Sequence, residues 1–177
     1  NFRIVINISA STLQTMTAQN LVDMAEKHGL KSEDIELDIK DEVFSNSWLS
    51  QNLLEFKKCS MRVALDIFDR QAFDLEGLFF NQYDTIKLDY SLYAESNQGV
   101  SARDSRLYPS LVTIASENGV EILAKGIENQ EQMAAARKHK VKYLQGNYFT
   151  PPIPFLTFQI FAKKYQDGLY QEEYHLA

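Results

Sequence analysis

Polar residues stand at or near the carboxyl end of each short apolar run in this chain. In chain order these residues are Asn7, Asp38, Asp66, Lys87, Lys125 with Glu128, and Gln145. A hard divalent cation such as Mg²⁺ prefers oxygen ligands of the kind that asparagine and aspartate provide. A lysine ammonium can instead bind phosphate or pair with a carboxylate. Because all six runs carry such a group within apolar flanks, the pattern predicts a polar pocket.

The apolar runs have the length and the β-branched content of strands. They are Phe2–Ile8, Ile35–Lys40, Arg62–Ile67, Thr85–Asp89, Glu121–Ile127 and Tyr143–Gln145. Segments with helical periodicity lie between them. The clearest predicted helices are Thr17–His28, Asp104–Asn118, Asn129–Lys140 and Phe155–Lys164. Strands alternating with helices predict an α/β fold with a parallel sheet, either open and doubly wound or three-quarters of an eight-stranded barrel. Ligands lie at the carboxyl ends of the strands in both.

Two of these helices have an apolar face that we expect to pack on the sheet. In Thr17–His28 the face consists of Leu21, Met24 and Ala25. The stripe of the last helix consists of Phe155, Phe158, Ala162 and Tyr165. Both faces have the spacing that a helix uses against a core.

Composition and charge exclude several classes of protein. A formal net charge of −6 without a basic stripe argues against a nucleic-acid partner. No run approaches the roughly 18 apolar residues that a membrane-spanning helix requires. Cys59 is the only cysteine, so no internal disulfide can form and a reducing cytoplasm is expected. The chain begins at Asn1 within an apolar run, which suggests a piece of a longer protein.

Four segments of the chain resemble motifs of one bacterial family, the EAL domain. They are Ile6–Ala10, Tyr83–Asp89, Ile122–Glu128 and Leu144–Phe149. In the family these places read V-N-L-S-A, D-x-x-K-x-D, I-A-E-G-V-E and Q-G-Y-x-F, the last followed by a proline that corresponds to Pro152. The resemblance covers nearly all of the 177 residues. It implies binding of cyclic di-GMP and, in intact members, hydrolysis of one phosphodiester with two divalent metals.

The resemblance also implies a fold and a domain organisation. The fold is a (β/α)8 TIM-like barrel of EAL type, of which about six strand-helix units are present here. Residues 1–177 then form one EAL-type domain whose N-terminal part, with the E-A-L motif, lies upstream of Asn1. Without that part we do not expect the chain to fold alone. The domain is expected to be one module of a larger cytoplasmic signalling protein, with attached domains or partner proteins and with a homodimer as a further option.

The resemblance implies metal-binding and catalytic roles for residues that occupy the family's functional positions. Asn7, Asp38 and Asp66 occupy metal-ligand positions. Lys87 occupies the position of the lysine that helps to place the attacking water. Glu128 corresponds to a glutamate that braces the loop after Asp66. These five residues would form the catalytic end of the barrel.

The expected ligand-binding residues lie at the same end. They are Asn7, Asp66, Lys125, Gln145, Phe149 and Pro152. Gln145 either caps a strand or forms, with Tyr148, Phe149 and Pro152, a wall for a guanine base. Lys125 either simply neutralises Asp66, or pairs with Asp66 or Asp38 in the empty site and with a ligand phosphate in the occupied one. Lys87 has a structural alternative as well, an ion pair with Asp66 or Asp89 at the edge of the core.

Three departures from the family pattern argue against hydrolysis. Asp38 replaces a glutamate, Ile67 replaces the second aspartate of D-D-F-G, and Lys125 replaces the first glutamate of E-G-V-E. Isoleucine has no lone pair, and an ammonium repels a cation. We therefore expect one metal site to be abolished and the other weakened, so that no cofactor binds tightly and Mg²⁺ or Mn²⁺ matters only for residual activity. The loop at Phe68–Leu75 also lacks both family glycines.

Three functions remain open at this level. The first is a catalytically inactive cyclic di-GMP receptor or regulatory module that passes its occupancy to attached domains. The second is a protein-interaction module without nucleotide binding. The third is a cyclic di-GMP phosphodiesterase with residual metal-dependent activity. Ile67 and Lys125 argue against the third, whereas no residue separates the first two.

Overall fold

A computed structural model of the chain describes residues 3–40, 47–67, 83–89 and 104–166, and it places six parallel strands in one sheet. The strands are β1 Ile4–Ile8, β2 Ile35–Lys40, β3 Arg62–Ile67, β4 Thr85–Asp89, β5 Glu121–Lys125 and β6 Tyr143–Leu144. Each strand pairs with the next one along the chain, from β1 to β6. A doubly wound sheet reverses its strand order, whereas a barrel does not. The topology is therefore that of a partial (β/α)8 barrel.

Helices follow the strands in four of the five connections, and the fifth, between β3 and β4, lies largely outside the described residues. The helices are α1 Ala10–Thr15, α2 Ala18–Lys27, α3 Ser47–Lys58, α4 Asp104–Glu117, α5 Gln130–Lys138 and α6 Phe155–Gln166, with a short 3₁₀ turn at Ser32–Asp34. Thr17 and Asn129 cap α2 and α5 with their side chains, so they precede the helices instead of beginning them. Gly29 and Gly119 follow α2 and α4 with φ of +72°. Only a residue that tolerates positive φ ends a helix in this way without strain.

The two faces of the sheet differ in chemistry because side chains alternate along each strand. One face is apolar and buried beneath the helices. From β2, β3 and β4 it contains Leu37, Ile39, Val63, Leu65, Ile67, Ile86 and Leu88. The opposite face carries the charged residues, among them Glu36, Asp38, Asp66 and Lys87. The core thus lies between sheet and helices, while the inner face of the barrel is polar.

Two of the predicted helix faces pack differently from expectation. In α2, Leu21 and Ala25 are buried, but Met24 is 55% exposed. In α6, Ala162 is buried, whereas Phe155 and Phe158 are 70% and 39% exposed. The predicted burial of Met24, Phe155 and Phe158 on the barrel is therefore wrong for the described part of the chain.

No helix within the described ranges has both the length and the apolar character needed to cross a bilayer.

Gly146 is the second residue after β6. It lies against the backbone of Ile127, in the segment that joins β5 to α5. A Cβ atom built at Gly146 would lie 1.9 Å from the carbonyl oxygen of Ile127 and 2.4 Å from its amide nitrogen. The same Ile127 donates its N–H to the carbonyl of Gln145 at 3.0 Å and accepts from the N–H of Tyr148 at 3.0 Å. Glycine is therefore required for this close approach.

Replacing Gly146 with alanine should destabilise the carboxyl end of β6 by roughly 3 kcal/mol, because the backbone around Ile127 must move. Gly119→Ala is the matched control, since its Cβ would meet nothing within 4 Å and only the positive φ opposes it. The control should cost about 1 kcal/mol. Amide hydrogen exchange of the purified protein, followed in the peptides around each glycine, measures both effects. Equal losses for the two variants would contradict the close approach.

Candidate functional site

The carboxyl-end half of the polar face brings together residues from five strands. In the strand register, Asn7 lies beside Asp38, Asp66 beside Lys87, and Asp89 beside Lys125. Residues that are directly paired between neighbouring parallel strands point to the same face. The site residues predicted on β1 to β5 therefore share one side of the sheet.

Asp38 on β2 and Lys87 on β4 form an ion pair within this face. Lys87 Nζ donates to Asp38 Oδ2 at 2.6 Å, and the two side chains are only 6% and 9% exposed. The pair passes over β3, as expected for a barrel whose inward layers are built from alternate strands. The structural alternative for Lys87 predicted an ion pair with Asp66 or Asp89. The partner in the structure is instead Asp38. The other oxygen, Asp38 Oδ1, is buried without a hydrogen-bond partner among the described residues.

A second ion pair repeats this arrangement one strand further along. Lys125 on β5 donates to Oδ1 of Asp66 on β3, passing over β4. Its side chains are 18% and 22% exposed, so it is the wetter of the two pairs. Of the two predicted partners for Lys125, the structure selects Asp66. Both aspartates predicted as metal ligands thus accept a hydrogen bond from a lysine.

The remaining predicted residues lie at the same end without joining these pairs. Asn7 is exposed, and its side chain makes no hydrogen bond within the described residues. Gln145 is also exposed, and its main-chain N–H donates to the carbonyl of Ala124 at 2.8 Å. Their roles toward a ligand stay predictions.

The predicted base wall contains one ordered aromatic contact. Phe149 is half-buried and packs edge-to-face on Tyr148, with ring centroids 5.4 Å apart and planes at 77°. Pro152 is exposed. Glu128 is exposed as well, and its main-chain N–H donates to the side chain of Gln132. The loop that Glu128 is predicted to brace, at 68–75, lies outside the described residues.

The described residues do not fit a two-metal centre. Asp38 and Asp66 each accept a lysine N–H, so one oxygen of each carboxylate already has an internal cationic partner. Ile67 is buried in the apolar core. Within the described ranges, no three histidine, cysteine, aspartate or glutamate side chains come close enough to hold a metal. A centre that activates water between two hard cations requires several oxygen ligands, which these residues do not provide.

A second polar cluster, at the amino ends of the strands, escaped the sequence prediction. Glu36 is 2% exposed and accepts from Arg3 at 3.0 Å, from Arg62 at 3.2 Å and from Thr85 at 3.0 Å. Glu121 accepts from Arg62 at 2.6 Å and from the hydroxyl of Tyr143 at 2.8 Å. We call these six residues the amino-end network. Alternation of charged and apolar residues in β2, as in Glu36-Leu37-Asp38, was the signal that could have revealed it.

Within the amino-end network the carboxyl of Glu121 favours its charged form. Partial burial raises its pKa, but the hydrogen bond from Tyr143 and the charges of Arg62 and Arg3 outweigh that effect. The net result is a pKa below the usual range for glutamate. Glu121 therefore favours its ionised form within this network, which lies apart from the pairs at the carboxyl ends.

Fold and sequence together define the class of protein. The sequence profile of the EAL domain matches residues 1–152, so the chain belongs to the EAL domain family. Cyclic di-GMP phosphodiesterase NbdA of Pseudomonas aeruginosa is 25% identical over 167 residues, covering 93% of this chain and 21% of that protein. The chain thus spans about a fifth of the length of this relative.

Solved structures agree with the assignment of the fold. The EAL enzyme Bd1971 in its cGMP-bound form superposes with a TM-score of 0.81 at 22% identity, over 92% of this chain and 43% of that one. BlrP1 of Klebsiella pneumoniae, in a complex with manganese and cyclic di-GMP, gives a TM-score of 0.74 at 22% identity, over 85% and 39%. The expected EAL-type barrel is confirmed.

Proposed function

We propose that this EAL domain binds cyclic di-GMP and does not hydrolyse it, acting as a receptor within a larger cytoplasmic signalling protein. The observation that carries the proposal is the pairing of Asp38 with Lys87 and of Asp66 with Lys125. Two lysines placed among potential metal ligands bring positively charged ammonium groups to the site without a metal, and each is balanced by an aspartate. The same charge can meet the phosphates of a cyclic dinucleotide.

Loss of hydrolysis follows from the same contacts. Hydrolysis by two metals requires carboxylates that are free to hold cations on both sides of the phosphate. Here Ile67 offers no oxygen, and Lys125 excludes a cation by charge and by volume. Asp38 is one methylene shorter than the family glutamate and is already bound to Lys87. Lys87 is therefore engaged in an ion pair at the position where the family uses a lysine to place water.

Binding would use residues that surround the two pairs. The phosphates would meet Lys125, and Asn7 would contribute its amide beside Asp38. Gln145 with Phe149 and Pro152 would flank a guanine base at the last strand. We also propose that residues upstream of this chain supply the rest of the barrel, so each experiment uses the full-length protein.

Isothermal titration of cyclic di-GMP into the full-length protein tests the proposal. The titration is run with a chelator and then with excess Mg²⁺ or Mn²⁺, and the mixture is assayed for linear product. We expect micromolar or tighter binding that does not depend on metal, and no product. Metal-dependent product would show a phosphodiesterase with residual activity and would overturn the proposal.

A protein-interaction module without nucleotide binding is the second candidate. One observation favours it, namely that each of the two lysines already has an internal carboxylate partner, so the described pairs carry no net charge. Absence of heat under both metal conditions, in a protein shown to be folded, would select this function.

A further inference from the structure

We infer that Asp66 is an internal competitor of the ligand phosphate for Lys125, which holds the site in a state of lower affinity until their ion pair opens. The inference rests on the proposed function. It concerns regulation of the same site and assigns to Asp66 an autoinhibitory contact in place of metal binding.

The two ion pairs differ in the solvent exposure of their side chains, so one can open more easily than the other. Asp66 and Lys125 are 22% and 18% exposed, whereas Asp38 and Lys87 are 9% and 6% exposed. Breaking a buried pair leaves an uncompensated charge away from water, while a pair at the rim can exchange partners with solvent or a ligand. A phosphate arriving at the carboxyl ends of the strands would therefore displace the contact at Lys125 first.

The strand register provides Asp66 with a second cation after Lys125 has left. Asp66 on β3 is directly paired with Lys87 on β4, and both point to the inner face. The ammonium of Lys87 has three N–H donors, and the hydrogen bond to Asp38 Oδ2 uses one of them. Asp66 can therefore turn from Lys125 toward Lys87 without being left alone. Ligand binding becomes an exchange of partners along the row Lys125, Asp66, Lys87.

This exchange predicts that the carboxylate of Asp66 opposes binding. While it pairs with Lys125, it occupies the ammonium that a phosphate requires, and its charge repels the incoming anion. An uncharged side chain of the same shape at this position would remove both effects. Affinity should therefore rise when Asp66 is neutralised, the opposite of what a metal ligand would show.

Asp66→Asn tests the inference by titration of cyclic di-GMP in the presence of a chelator. The dissociation constant should fall about tenfold relative to the unchanged protein, which is about 1.4 kcal/mol. Glu33→Gln is the matched control, because it removes the same charge from an exposed side chain at the amino ends of the strands. The control should change affinity by less than about twofold. Asp66→Ser, which also removes the charge, replaces the first variant if Asp66→Asn does not fold.

A second arm places Asp66→Asn in a chain that also carries Lys125→Met. The gain in affinity should be smaller there, because the contested ammonium is absent and only the repulsion by the carboxylate remains to be relieved. Equal or weaker binding by Asp66→Asn, in a protein whose unchanged form binds, would overturn the inference and leave the proposed receptor function intact. Binding by Asp66→Asn alone would support the inference and show that the unchanged protein is not a receptor. Absence of binding by the unchanged protein and by Asp66→Asn would overturn both the receptor function and the inference about Asp66.

Discussion

Replacing Lys125 with glutamate should weaken metal-free binding of cyclic di-GMP by about 100-fold, equivalent to about 2.7 kcal/mol. The substitution removes the ammonium that would meet a phosphate and leaves a second carboxylate beside Asp66, so both charges then repel the ligand. Titration calorimetry in the presence of a chelator measures the loss. Binding is compared at two salt concentrations, because an electrostatic contact at a partly exposed site weakens as salt rises.

Lys31→Glu provides the control for Lys125→Glu. It makes the same change in net charge at a side chain that is 77% exposed and lies before the amino end of β2. Affinity should stay within about twofold of the unchanged protein, since that charge is exposed to screening by solvent and salt and lies at the opposite end of β2 from Asp38. An affinity unaltered by Lys125→Glu would show that Lys125 only neutralises Asp66 and has no contact with the ligand.

Replacing Lys87 with methionine should destabilise the barrel by about 4 kcal/mol, because Asp38 is left buried and uncompensated. Asp38 Oδ1 already lacks a hydrogen-bond partner among the described residues, so none of these residues provides a second contact. Hydrogen exchange in peptides from β2 and β4 of the full-length protein reports the free energy of opening in this region. Protection should fall most in these two strands.

Two further variants show whether the loss of stability in Lys87→Met comes from the buried charge of Asp38. Lys58→Met breaks an exposed pair with Glu55, whose side chains are 70% and 61% exposed, and it should change stability by less than about 0.5 kcal/mol. Combining Asp38→Leu with Lys87→Met should restore most of the stability, because a buried ion pair can be replaced by apolar groups. A double variant as unstable as Lys87→Met would show that the loss of stability does not come from the uncompensated charge of Asp38.

Much of the fold could be predicted from local pattern. The bounds of β2, β3 and β4 agree with the predicted runs, since short β-branched segments flanked by polar residues favour the strand conformation. The strand at Glu121 is shorter than predicted, because Gly126 adopts a φ of +77° and turns the chain away. Lys140 also has a positive φ of 61°, which ends α5 before the predicted limit.

Partners across the sheet were harder to predict than the elements. Whether Lys87 pairs with Asp38 depends on the stagger between neighbouring strands, which brings residues of alternate strands to the same height in the barrel. This stagger is a property of the assembled barrel and not of any single segment. The amino-end network depends on the same stagger, so single strands gave no reason to join Arg62 with Glu121. Exposure of Phe155 and Phe158 could not be foreseen either, because an apolar stripe predicts a face and not its partner.

The amino-end network gives the two ends of the sheet different mechanical roles. Its six residues come from every strand or from the position directly before it, and Arg62 joins Glu36 and Glu121 across the middle. At the other end, the ion pairs described here join β2 with β4 and β3 with β5. One end of the sheet is therefore braced across all six strands, while ion pairs at the other end can exchange partners without disturbing that brace.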